Sequence, residues 1–344
     1  MSTMLDVAKR AKVSLSTVSY ALNGTRPISE ETRQRITEAM EELGYRPHPL
    51  ARGLASKHSR ILAILFPAIE RGLGSTELEF VASAAHAASK NGYHLVVWSA
   101  ETNDPDELHQ LTRQGLVDGV ILMEVHVNDM RVNLLRESGF PFTMIGRCDD
   151  DRDGYVDIDF KQTIDEALKY LSGLGHTNIA YLNQSQASYE TGYGPVVRTK
   201  ALFEEYIRLS GLRGVIRFCR SSPLAGYEAF NTLLQEYPDL TAIVSMNERA
   251  IPGIMRAITE HGWKIPDDFS LVALVSSVRM AEMMVPKLTT MEPPSAELGR
   301  LATELLINHL EGNSDENPRI LIPCRLVMGE STGPCRRNSS NQDQ

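Results

Sequence analysis

The chain of 344 residues is long enough for two or three domains and a sizeable core. Its hydrophobic content of 42% is that of a soluble globular protein, and no apolar run approaches the ~18 residues of a membrane-spanning helix. A net charge of −9 speaks against a nucleic-acid partner only as a single number: residues 1–60 hold ten Lys/Arg against six Asp/Glu, a basic head on an acidic body.

The opening MSTMLDVAKRAK has no apolar signal-peptide core, so a cytoplasmic protein without membrane association is expected. Cys148, Cys219, Cys324 and Cys335 have no C-x-x-C spacing. Buried free thiols are expected, with no metal, disulfide framework or cofactor.

Leu5, Val7, Ala8 and Ala11 form a short helical face that breaks at Lys12-Val13-Ser14. Val18, Ala21 and Leu22 resume it until Asn23-Gly24. Ser29 reads as an N-cap before Glu30 and Glu31, Ile36, Met40 and Leu43 form a third stripe, and Gly44 fits the position after its end. Three short helices, the first two joined by a tight turn, make a helix-turn-helix pattern. Its second helix has mediocre helix formers, which suits a helix entering the major groove with small hydroxyls near phosphates. Ser14, Ser16, Thr17 and Ser19 supply the hydroxyls; Leu15, Ser16 and Tyr20 point outward. A Ser/Thr-rich surface helix in any small helical domain shows the same periodicity.

The run LDVAKRAKVSLSTVSYALNG…ISEETRQRITEAMEELGYRPHPLARGLASK separates the two readings, because it closely resembles the DNA-binding segment of the LacI/GalR family of bacterial transcription regulators. The matches include Asp6-Val7-Ala8, Val13-Ser14, Thr17-Val18-Ser19, Leu22-Asn23-Gly24, Leu43-Gly44-Tyr45 and Ala51-Arg52. The resemblance implies DNA contacts from Ser14, Leu15, Ser16, Thr17, Ser19, Tyr20 and Asn23. It also implies a hinge in which Ala51 and Arg52 meet DNA and Leu54 is a minor-groove wedge, repaid by a kinked duplex. A linker leucine packed on the core is the plainer role for Leu54. Two departures bear on the operator: Ala55 stands where some members carry Lys, and Tyr20 where many carry a guanine-reading Arg.

Beyond Arg60, apolar runs such as ILAILF (61–66), GVILM (119–123), NIAYL (178–182) and SLVAL (270–274) alternate with helical patterns such as 77–91, 195–211 and 247–262. The expected fold is therefore an α/β core of two doubly wound subdomains behind an all-α helix-turn-helix domain, with ligand binding at the carboxyl ends of the strands between the halves. An enzyme is not expected. Gly72-Leu73-Gly74 lacks a third glycine and meets Glu77, which would repel a pyrophosphate, and no Walker, G-x-S-x-G or metal-ligand pattern is present. His126 falls in a possible cleft loop, while His176 and His261 flank helix ends, where capping roles are commoner.

The core also resembles the family, through Gly175-His176, Arg198, Asn247, Ile265-Pro266-Asp267-Asp268, Pro286 to Thr290 and Glu330-Ser331-Thr332. This implies a periplasmic-binding-protein-like fold and an effector site of Arg147, Asp159, Phe160, Arg198, Asn247 and Glu248, suited to a carbohydrate-like effector. Arg147 can instead pair with Asp149 or Asp150, Glu248 can simply start its helix, and Phe160 can be core. The family commonly has an acid where this chain has Val275-Ser276-Ser277. Glu248, Glu124 or Asp159 could replace it, the effector could be less hydroxylated or acidic, or the site could have degenerated.

The expected organisation is a DNA-binding domain over 1–46, a hinge over 47–59 and a core over 60–334. The core divides into about 60–160 plus 292–315, and 161–291 plus 316–334; a polar tail, 335–344, lacks tetramerisation heptads. The expected protein is a homodimeric repressor on a pseudo-palindromic operator of double-stranded DNA, controlled by a small-molecule effector. A constitutive DNA-binding regulator with a dead effector site, and a sugar-binding or sugar-converting module, are the competing classes.

Overall fold

The computed structural model describes residues 2–23, 26–45, 59–66, 74–98, 105–150, 152–313 and 317–336, with the backbone alone for Asn23, Ser75 and 105–107. Ala51, Arg52 and Leu54 of the expected hinge, the Asn23 side chain, Gly72-Leu73 and residues 337–344 lie outside the described residues.

The head comprises α1 (Met4–Ala11), α2 (Leu15–Asn23) and α3 (Glu30–Glu42). Thr3 and Asp6 cap α1 reciprocally: the Thr3 hydroxyl accepts the Asp6 N–H at 3.3 Å, and the Asp6 carboxylate accepts the Thr3 N–H at 2.9 Å. Lys12, at φ 52°, takes the left-handed turn that ends α1. Arg35 on α3 donates to the Ala11 and Lys12 carbonyls, placing a cation at the negative end of α1. The stripes expected from periodicity meet in one small core of Val7, Ala8, Ala11, Val18, Ile36 and Ala39.

The core domain follows in chain order. It begins β1 (Ile61–Leu65), α4 (Ser75–Lys90), β2 (His94–Trp98), α5 (Pro105–Arg113), β3 (Gly119–Leu122), α6 (Met130–Ser138), β4 (Phe142–Ile145) and β5 (Tyr155–Ile158). Next come α7 (Phe160–Gly173), β6 (Asn178–Asn183), α8 (Gln186–Glu190), α9 (Gly194–Ser210), β7 (Arg213–Phe218), α10 (Pro223–Glu236), β8 (Ala242–Ser245), α11 (Ile251–Glu260), β9 (Ser270–Leu274), α12 (Val278–Glu282) and β10 (Thr289–Glu292). It closes with α13 (Ser295–Leu310), β11 (Arg319–Ile322) and β12 (Arg325–Val327).

Two six-stranded sheets result, in the orders β11-β5-β4-β3-β1-β2 and β12-β10-β9-β8-β6-β7. Among the described residues, every pairing between these strands is parallel except β10 with β12. Strands such as Gly119–Leu122 and Ser270–Leu274 are buried along their whole length, as sheets covered on both faces require.

One expected boundary moves. Residues 316–334 are expected wholly in the second subdomain, yet Arg319–Ile322 pairs in parallel with Tyr155–Ile158 of the first sheet. The exchange falls at Pro323-Cys324, after which Arg325–Val327 joins the second sheet. A four-residue strand between charged segments is too short to announce which sheet it extends. The helical pattern over 247–262 also divides, into a 3-10 turn, Glu248–Ala250, and α11, whose Pro252 sits in its first turn.

His176 caps α7 through its backbone, whose N–H donates to the Leu171 carbonyl at 3.1 Å. Its side chain has a different role: it is buried between Thr241 Oγ1 (2.9 Å), Ser270 Oγ (3.0 Å) and the Gly333 carbonyl (3.0 Å). The carbonyl only accepts, so Nε2 carries the proton and Nδ1 accepts from Thr241. Burial lowers the His176 pKa, keeping the ring neutral as a tie between the second sheet and the C-terminal segment.

Candidate DNA interface and ligand cleft

Leu15 is 44% exposed at the start of α2, and Ser14 and Ser16 are exposed beside it. The Ser14 Oγ accepts the Thr17 N–H at 3.1 Å and lies 2.7 Å from the Ser16 and Thr17 hydroxyls. The serines of this weak helix thus order its N-terminus. Val18 faces the core, while Ser19 and Tyr20 are half-buried. The Arg26 guanidinium lies 5.2 Å from the Tyr20 ring centre, a cation–π contact that sequence periodicity did not suggest.

The cleft lies between the two sheets. A cavity of about 520 Å³ is lined from the first half by Phe66, Glu124 and Gly146, and from the second by Gln184, Arg220, Asn247 and Val275. Each of these stands just beyond the carboxyl end of a strand, where doubly wound sheets leave their crevice. Phe80 and Phe160 contribute aromatic walls.

Glu124 and Val275 both have left-handed backbones, φ 53° and 54°. For a β-branched valine that conformation is strained by ~1–3 kcal/mol. Flanking bonds hold each turn. The Arg131 guanidinium pairs with Asp129 at 2.7 Å and donates to the carbonyls of Met123 (3.1 Å) and Glu124 (3.0 Å). After Val275, Thr290 Oγ1 donates to the Ser276 carbonyl at 2.6 Å.

Carboxylates dominate the interior. The Ser276 hydroxyl donates to Glu248 Oε1 at 2.7 Å, and the Tyr193 hydroxyl to Glu124 Oε1 at 2.8 Å. Burial raises the Glu248 pKa against that Ser276 bond. Burial also raises Glu77, and the charges of Glu124 and Glu248 add to it. Asp157 is buried beside Arg147, 2.8 Å away, and desolvation pushes its carboxyl up to about 6 despite that partner.

A backbone strap joins the halves on one side of the cleft. His126 bridges Tyr193; the Val127 N–H donates to the Gly192 carbonyl at 2.8 Å and the Gly194 N–H to the Val125 carbonyl at 3.1 Å. Arg198, on α9 of the second half, pairs with Asp149 of the first at 2.9 Å.

The expected effector residues divide. Phe160, Asn247 and Glu248 line the cavity, although Phe160 is also fully core and the Asn247 amide donates to the Cys219 carbonyl at 2.8 Å. Arg147 and Arg198 are not on the wall. Both act on Asp157, which is, and Arg147 takes Asp157 rather than Asp149 or Asp150. Asp159 is turned away to cap α7, accepting the Gln162 N–H at 3.0 Å. The residues missed are Thr76, Glu77, Asp157, Tyr193 and Arg220. Glu77 has a signal in the sequence: it follows the first strand at the place where a crevice forms, and the charge that excludes a pyrophosphate there suits a cationic or hydroxylated ligand.

Residues 3–48 match the family model of bacterial regulatory proteins, lacI family, and residues 168–332 match that of a periplasmic binding protein-like domain. The chain joins a LacI-family DNA-binding domain to a periplasmic-binding-protein-like domain. Relatives of the chain include catabolite control protein A of Staphylococcus epidermidis, 28% identical over 340 residues, covering 96% of this chain and 99% of the relative. Another is the HTH-type transcriptional repressor PurR of Mannheimia succiniciproducens, 29% identical, covering 96% and 98%. Among solved structures, the lac repressor dimer bound to operator and the anti-inducer ONPF shares the fold with TM-score 0.82 at 24% identity, over 96% of this chain and 99% of that one. A LacI-family regulatory protein from Chloroflexus aggregans, 27% identical, gives 0.71 over 80% and 99%. The chain is thus a DNA-binding transcription regulator with an effector-type core. Among its described residues no helix is long and apolar enough to cross a membrane.

Proposed function

We propose that the protein is a homodimeric repressor whose hold on a pseudo-palindromic operator is set by a small-molecule effector, a sugar or sugar derivative, bound between the sheets. The observation that carries this reading is the cleft: polar and aromatic groups converge at the carboxyl ends of both sheets, in a cavity within the ~300–1,000 Å³ usual for small ligands. Carboxylates, Asn247 and aromatic walls are groups that a hydroxyl-bearing ligand uses. On the DNA side, Ser14, Leu15, Ser16, Thr17, Ser19, Tyr20 and Asn23 face the major groove, and Ala51, Arg52 and Leu54 the minor groove.

The test is operator affinity by fluorescence anisotropy on DNA upstream of the protein's own gene, repeated with sugars, sugar phosphates, sugar acids and amino sugars. A tenfold shift with one compound supports effector control, and its sign separates inducer from co-repressor. Tight binding that nothing shifts favours a constitutive regulator, a reading to which Val275 in place of the family's acid gives weight. Leu54→Ala is expected to weaken operator binding and leave effector binding unchanged; undiminished operator affinity removes the wedge role.

A further inference from the structure

The interior of the cleft has more negative charge than a neutral polyol needs. Glu77, Glu124 and Glu248 line one cavity, with Glu77 and Glu124 on the first half and Glu248 on the second. Two are held in place by hydroxyl donors, Ser276 on Glu248 and Tyr193 on Glu124. The arginines on the same wall, Arg220 and Arg249, are exposed at its rim. Asp157 is occupied by Arg147.

Thr76 supplies an independent sign of a ligand. It lines the cavity next to Glu77, is only 7% exposed, and its Oγ1 has no hydrogen-bond partner among the described residues. A buried hydroxyl without a partner costs ~1–3 kcal/mol, which a ligand polar group would recover.

We infer that the effector carries a protonated primary amine on a hydroxylated frame, with Glu77 and Glu248 flanking the ammonium from the two halves and Thr76 bonded to a neighbouring hydroxyl. An ammonium has three donors and no acceptor, so it can donate to both carboxylates at once. Each carboxylate is costly to bury without a countercharge. Mutual repulsion adds to burial at Glu77, and Arg249 offsets it only in part. A bare metal ion fits less well: among the described residues no group of three His, Cys, Asp or Glu is placed to hold one. This inference rests on the effector reading above and names the chemistry of that same site.

The experiment is thermal unfolding and calorimetry of the full-length protein with D-glucosamine, D-galactosamine, D-mannosamine and 1-amino-1-deoxysorbitol. Each is paired with its N-acetylated form and its neutral parent at equal ionic strength. The expected result is stabilisation by at least one free amine, lost on N-acetylation. Its apparent Kd should rise tenfold or more in Glu248→Gln and in Glu77→Gln, with operator binding retained as the check on folding. Stabilisation by the neutral parents or N-acetylated forms equal to or above that of the amines overturns the amine and leaves effector control standing. No shift from any compound, amine or neutral, overturns both.

Discussion

Gly194 is where the strap between the two halves is most exposed to a single change. A Cβ there would lie 2.8 Å from the Val125 carbonyl oxygen and 2.3 Å from a terminal nitrogen of Arg198. The Arg198 tip can swing aside, but the carbonyl is backbone and must retreat by ~0.5 Å or more to reach ordinary contact. That retreat strains the Gly194 N–H bond to Val125, and with it the Val127 N–H bond to Gly192. Two hydrogen bonds at ~0.5–1.5 kcal/mol each make ~1–3 kcal/mol, a ~5–150-fold shift toward the open cleft. Gly194→Ala should therefore speed hydrogen exchange at the Val127 and Gly194 amides by that factor, and the amides of β3 should be unaffected. Gly173→Ala is the control, since a Cβ at Gly173 meets nothing within 4 Å. Wild-type protection at both strap amides in Gly194→Ala would refute the claim that this contact holds the halves together.

Leu15→Ala with Tyr20→Ala should weaken operator binding by ~1–3 kcal/mol, read by anisotropy, with unchanged circular dichroism because neither side chain is in the head core; unaltered affinity would take α2 out of the groove. His176→Ala removes the ring's bonds to Thr241, Ser270 and Gly333 and leaves a cavity, and should cost ~2–4 kcal/mol in chemical denaturation; a loss under 1 kcal/mol would deny it the tie between sheet and C-terminal segment. Asp157 has a folded pKa of about 6, raised above its unfolded value by burial, so its favourable contribution is complete below pH ~4 and lost as pH rises through ~6. Asp157→Asn should gain on wild type in Tm across that window, and parallel Tm profiles would contradict the raised pKa.

Much of this architecture was legible because it follows from short-range rules. Runs such as NIAYL and SLVAL are apolar on both faces, so they read as strands of a covered parallel sheet, and a crevice at their carboxyl ends follows from topology. Phe160, Asn247 and Glu248 could be placed there because each comes directly after or near a strand end. Arg147 and Arg198 could not be settled in the same way. Whether an arginine meets the ligand or an acid depends on which carboxylate the fold delivers to it, here Asp157 and Asp149. Asp159 was misplaced for a related reason: capping α7 is a local hydrogen bond that competes with a role in the cleft. Tyr193 was invisible because it reaches the cavity by a contact across 69 residues, its bond to Glu124.

The strap and the cavity share residues, and this sets what a ligand must do to be felt elsewhere. Glu124 lines the cavity and immediately precedes Val125, His126 and Val127, the strap itself. Its carboxylate is also the acceptor for Tyr193 of the opposite half. A ligand changes an equilibrium only by its difference in affinity for the two states. One that touched Glu77 and Glu124 alone would find them on the same half whether the cleft is open or closed, and would shift little. One that also engages Glu248 or Arg220 gains those contacts only when the halves are together. Differential binding of ~1–3 kcal/mol is then within reach of one or two charge-assisted hydrogen bonds. The cross-cleft residues Glu248 and Arg220 are therefore where loss of response should part company from loss of binding.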